Sequence, residues 1–223
     1  MEQTYRSQIL DHLGLVAGMF DELGIGEVVD KATQQNPAMR DLPVGEGVKA
    51  MGLNGLGCVN HALSLVPRFF QHKPTSRLMA PRVAPAQLND DALGRALETL
   101  YAYGVTALYS LLAATAAERL GLTPRCAPRD RTRVQVDGRD NRDEEPAEQG
   151  MHITRGYSRE HRPDLNHVML ALIVEPQAGI PRLRPPRSGN SRDVQACGQV
   201  IRTHIAPLHT TSGVTDIVAD RAL

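Results

Sequence analysis

The chain contains no tryptophan, three phenylalanines and five tyrosines. A carbohydrate cleft or a base-stacking platform built from aromatic rings is therefore disfavoured. Cysteine is equally scarce. Cys58, Cys126 and Cys197 are far apart and form no CxxC pair, which argues against a secreted disulfide framework and against a cysteine zinc site. Charge of one sign is lacking too: 25 basic and 25 acidic residues leave a formal net charge of zero. That excludes a polybasic protein and an acidic disordered one. Lysine is nearly absent from the basic set, at positions 31, 49 and 73 alone. Such an arginine bias fits a polyanion partner, since arginine pairs bidentately with phosphate, and it fits a GC-rich genome equally. The N-terminus has no basic stretch followed by an apolar run, so no signal peptide is expected. Residues 99–117 carry no charge, but Gly104 and several Thr, Tyr and Ser residues interrupt them. They are expected to form two helix pieces and no membrane span. A soluble, cytoplasmic chain is the resulting expectation.

The 223 residues suffice for one or two domains with real cores. The first 121 read as helical. Leu15, Met19 and Leu23 recur at four-residue spacing before Gly24, a C-cap signal. Further helices are expected at 25–32, at 47–56, and at 60–71, the last with Leu63, Val66, Phe69 and Phe70 as its core face. Pro74, Pro81 and Pro85 then break the chain into a turn-rich connector. Asn89, Asp90 and Asp91 cap another helix, carried by Leu93, Ala96, Leu97 and Leu100 and stopped by Gly104. A last, Ala/Leu-rich helix covers 105–120. Together these make an all-α domain, residues 1–121.

The pattern changes at Thr123. Thr132, Val134 and Val136 alternate with Arg131, Arg133 and Gln135, the period of a half-buried strand. Residues 151–154, 168–174, 180–183 and 216–219 also read as strands, with Pro185 and Pro186 stopping the segment at 180–183. A helix is expected from Arg192 to about His204. The order is that of an α/β domain, residues 122–223, so the whole is an α+β chain in two parts.

No Walker-type loop, G-x-S-x-G elbow, H-E-x-x-H motif or dinucleotide fingerprint is present. His152, His161 and His167 match no zinc spacing, and Asp137, Asp140 and Asp143 recur every third residue where a calcium loop needs every second. The informative pair is Asp130, on the first expected strand, and Asp220, closing the last. Carboxylates on neighbouring strands can share a divalent cation whose other ligands are waters and phosphate oxygens, and such metals activate a water or 3′-hydroxyl against a phosphodiester. The alternative is that each aspartate merely ends a strand. Arg155, Arg159, His161 and Arg162 form a local candidate for phosphate contact, although the interleaved Glu160 and Asp164 also suit a solvated loop.

Several stretches together resemble bacterial insertion-sequence transposases of the DDE type. They are residues 10–18 (LDHLGLVAG), 48–57 (VKAMGLNGLG), 88–97 (LNDDALGRAL), 153–165 (ITRGYSREHRPDL), Gly189-Asn190-Ser191 and Val218-Ala219-Asp220. The resemblance implies a helical N-terminal domain that helps recognise the ends of a mobile element, followed by an RNase H-like catalytic core. It implies that Asp130 and Asp220 are the first two catalytic metal ligands, and that Mg²⁺ or Mn²⁺ is the cofactor of the full-length family, with binding expected to be weak or absent in this chain. DNA is the implied partner, along with a second copy or a full-length transposase. The family's third ligand, a glutamate on a later helix, has no counterpart after Asp220, so the RNase H-like part is expected to be incomplete. Metal-dependent nicking of donor DNA, abolished by Asp130→Ala, would refute that expectation. Two alternatives remain: a DNA-binding module that modulates a full-length transposase, and a subunit-interaction module using the helix at 105–120.

Overall fold

The computed structural model describes residues 8–34, 41–57 and 62–122, and the strand segments 126–136, 154–155, 166–174, 181–183, 186–188 and 216–219. The chain divides into two compact units, Met1–Leu108 and Tyr109–Leu223.

Among the described residues the first unit is all-helical, in the order α1 (Leu13–Glu22), α2 (Ile25–Thr33), α3 (Val44–Leu56), α4 (Val66–Gln71), α5 (Thr75–Leu78) and α6 (Asp90–Tyr103). Its core joins Leu13 and Ala17 of α1, Ala50 and Leu53 of α3, Val66 and Phe70 of α4, and Leu93 of α6. The stripe expected on α1 is displaced. Leu13 and Ala17 are buried, whereas Leu15 is 77% exposed and Met19 46%. Both stripes have the same four-residue spacing, and period alone does not say which one meets the core. On α6, Leu93 and Ala96 are buried as expected, but Leu97 is exposed.

Helix α3 begins at Val44, three residues before the expected Gly47. Pro43 at its N-cap supplies no side-chain cap. Instead Asp30 of α2 accepts the Gly45 amide at 2.7 Å. Gly45 also lies against Gly26, so that a Cβ there would come 2.5 Å from the Gly26 carbonyl oxygen. The two backbones touch, and the missing side chain is what permits the contact.

The expected helix at 60–71 is partly a 3-10 turn, Leu63–Leu65, and the α-helix starts at Val66 with Pro67 in its first turn, where proline loses no bond. Phe69 and Phe70 meet edge to face, 5.0 Å between centroids. The connector is more than turns. It contains α5 and a 3-10 turn at Pro85–Gln87, and it buries Leu78, Met79, Val83 and Leu88. Glu46 of α3 accepts the Ala80 amide at 3.1 Å, which ties the connector down.

Asn89 caps α6 by accepting the Ala92 amide at 2.9 Å, and Gly104 ends it with a positive φ of 101°. A separate helix, α7 (Val105–Arg119), follows; Leu108, Ala113, Ala116 and Ala117 are buried. Among the described residues no single helix is long and apolar enough to cross a membrane; α6 and α7 meet that measure only when taken together across their break.

In the second unit the described strands are β1 (Cys126–Val136), β2 (Thr154–Arg155), β3 (Asn166–Val174), β4 (Pro181–Leu183), β5 (Pro186–Ser188) and β6 (Asp216–Ala219). The sheet order is β2-β3-β1-β6, with β4 and β5 also on β3. Strand β1 runs antiparallel to β3, from Arg129 opposite Ile173 to Val136 opposite Asn166, and parallel to β6. Strand β4 ends at Leu183, as expected, and a further strand, β5, starts at Pro186, where Leu170 faces Pro186 and Val168 faces Ser188. Proline is tolerated there because β4 and β5 pair with no described strand but β3, so a missing donor costs no second ladder. Pro128 likewise lies within β1, opposite Val218. The helix expected at 192–204 lies outside the described residues.

Candidate functional site

Strand β1 is built from alternating residues that suit a pleated, half-buried segment, and β6 from Ile217 and Val218, both strong strand formers. Their parallel ladder pairs Cys126 with Asp216, Ala127 with Ile217, Pro128 with Val218 and Arg129 with Ala219. Asp130 is the next residue of β1, where its antiparallel partner is Leu172 of β3. Asp220 follows Ala219 in the sequence and lies outside the described residues.

Of the residues expected to contact phosphate, Arg155 is in β2, opposite Asn166. Arg159, His161 and Arg162 lie outside the described residues. His167, from the histidine group, is in β3 opposite Gln135 and Thr154; His152 lies outside, as do Asp137, Asp140 and Asp143. Among the described residues no group of three His, Cys, Asp or Glu side chains is arranged to hold a metal ion.

Several polar groups of the helical unit serve its own architecture. Lys49, 3% exposed, is held by both carboxylate oxygens of Asp21 at 2.7 and 2.8 Å and lies 5.8 Å from the centre of the Phe20 ring. Asp21 itself is 64% exposed, so water reaches one side of the pair. Lys73 pairs with Asp11 at 3.0 Å and lies 6.0 Å from the Phe69 ring centre. His12 bonds through Nε2 to the Leu56 carbonyl at 2.8 Å, joining the start of α1 to the end of α3.

A cavity of about 350 Å³ is lined by Asp41, Leu42, Ala86, Gln87, Asn89, Ala92 and Arg95. Its amides are committed. Gln87 donates to the Asp41 carbonyl at 3.3 Å and accepts from the Ala84 amide at 2.7 Å, while Asn89 caps α6. The cavity lining holds no pairing of a nucleophile with a base, the arrangement that covalent catalysis needs.

Residues 5–114 match the model of a family described as a domain of unknown function, DUF4277. The match covers the helical unit and runs into α7. No curated protein and no solved structure matches the chain.

Proposed function

We propose that this is a transposase-family protein acting on DNA, with the helical unit engaging the DNA and the sheet unit carrying part of an RNase H-like core that supplies two metal ligands and is catalytically incomplete. The observation that carries the reading is the strand arrangement around β1. A long first strand, antiparallel to the next long strand and parallel to the last, ends its described parallel ladder at Arg129 and Ala219. These positions immediately precede Asp130 and Asp220. In this reading Asp130 and Asp220, each the next residue in sequence after a paired position, share one divalent cation.

Two hard carboxylates suit Mg²⁺ or Mn²⁺, with waters and phosphate oxygens completing the shell. When bound, the cation supplies Lewis-acid activation of a water or hydroxyl. The task of Asp130 and Asp220 is to hold it, and Arg155 with Arg159, His161 and Arg162 would orient the phosphate.

Manganese EPR titration of the full chain tests this. Weak Mn²⁺ binding is expected, lost in Asp130→Asn and in Asp220→Asn and kept in Asp216→Asn, which changes a carboxylate at the far end of β6. Equal Mn²⁺ binding by all three variants and the wild type would overturn the reading.

A second reading, a subunit-interaction module, draws on apolar groups left outside. Tyr101 is 82% exposed on α6, with Leu97 one turn earlier, and Val105 and Leu111 are exposed on α7. A clean monomer in light scattering would remove it.

A further inference from the structure

Charge is segregated along the helical unit in a way that singles out one stretch. Between Glu46 and Asp90 the sequence has no acidic residue, while Lys49, Arg68, Lys73, Arg77 and Arg82 supply five basic ones. The flanks have the opposite balance. Residues 8–46 hold seven acidic and two basic side chains, and residues 90–121 hold four and two.

Two of the five cations are already neutralised, Lys49 by Asp21 and Lys73 by Asp11. Arg68 on α4, Arg77 on α5 and Arg82 in the connector are exposed. Among the described residues none of the three has an ion-pair partner. They fall within fifteen residues of short helix and turn that are anchored from beneath by buried Val66, Phe70, Leu78 and Val83. The segment therefore carries three exposed guanidinium groups with no ion-pair partner among the described residues, and exposed His72 and Ser76 lie between them in the sequence.

We infer that the α4–α5 segment is a phosphate-backbone docking surface for duplex DNA, with Arg68, Arg77 and Arg82 as its charged contacts. The choice of ligand rests on the DNA-handling function proposed above; the choice of surface rests on the charge segregation and on the unpaired arginines. Planar guanidinium forks suit phosphate oxygens. A lipid surface fits less well, because stable attachment needs apolar side chains to insert. Here Phe70 is fully buried and Phe69 partly so, packed against the core.

The test is fluorescence anisotropy of the full chain with a short labelled duplex, in parallel with anionic phosphatidylserine vesicles. Replacing Arg68, Arg77 and Arg82 together by alanine is expected to weaken duplex binding about tenfold or more and to reduce the slope of log K against log[NaCl] by roughly one per arginine. The matching triple lysine variant is expected to retain most of the affinity. Arg95→Ala, in the acidic flank, is expected to change nothing. Duplex binding unaltered in the alanine variant, equal loss in Arg95→Ala, or vesicle binding tighter than duplex binding would each overturn the inference. Manganese binding at Asp130 and Asp220 is read separately, so failure of either assignment is distinguishable from failure of the other.

Discussion

Helices α3 and α6 are of nearly equal length, yet they are specified in opposite ways. Asn89, the residue just before α6, caps it, and Gly104 immediately beyond it stops it. Helix α3 starts at a proline without a side-chain cap and takes its acceptor from Asp30 on another helix. Its glycines differ accordingly. Gly45 and Gly47 are buried in α3, against Gly26 and against Ala96 respectively, whereas a Cβ at Gly94 of α6 would meet nothing within 4 Å. One helix is written into its own neighbourhood in the chain. The other exists because partners remote in sequence require it.

Substitutions can sharpen that contrast, read as shifts in the midpoint of urea unfolding. The largest effect is expected at the α2–α3 crossing. Gly45→Val must push the backbones apart, at a cost of about 3 kcal/mol, the upper range for overpacking. Next comes Asp21→Ala, which strips the buried Lys49 ammonium of its acceptor and is expected to cost about 2 kcal/mol, moderated by the water that reaches Asp21. Lys49→Met, which removes the charge and keeps the volume, should cost less; the reverse order would show that the pair is not what holds α1 on α3. The two caps should then differ in reach. Asp30→Ala and Asn89→Ala each remove about 1 kcal/mol, but hydrogen exchange should show the former loosening both α2 and α3 and the latter confined to the first turn of α6. The smallest effect has the opposite sign. Gly94→Ala is expected to stabilise by about 0.5–1 kcal/mol, since nothing occupies the space it fills and alanine is the better helix former.

The same contrast explains how much was legible beforehand. Helix α6 was readable from Asn89 to Gly104, and α2 and α7 to within a residue, because their signals are local. The start of α3 was hidden, since neither Asp30 as its cap nor the Gly26 contact has a signature at residues 44–46. The core face of α1 is ambiguous in the sequence because Leu13, Leu15, Val16 and Met19 leave more than one plausible stripe, and tertiary packing selects Leu13 with Ala17. In the connector, Leu78, Met79, Val83 and Leu88 are buried without regular spacing, so no periodic template finds them. Of the site, the alternation in β1 and the apolar β6 were readable as strands, but that these two pair with each other is a long-range fact that composition does not carry. The acid-free stretch from 47 to 89 is plain in the sequence; which of its cations are already spent became visible only with Asp11 and Asp21 in place.

The prolines at 181 and 186 have a consequence for how the molecule behaves in a crowd. They stand opposite Val174 and Leu170, on the side of β3 away from β1. A strand rim normally invites a stray polypeptide to add itself, one amide hydrogen after another. At these two positions there is no hydrogen to give, so among the described strands the outer side of β4 and β5 is a poorer template for fibrous self-association.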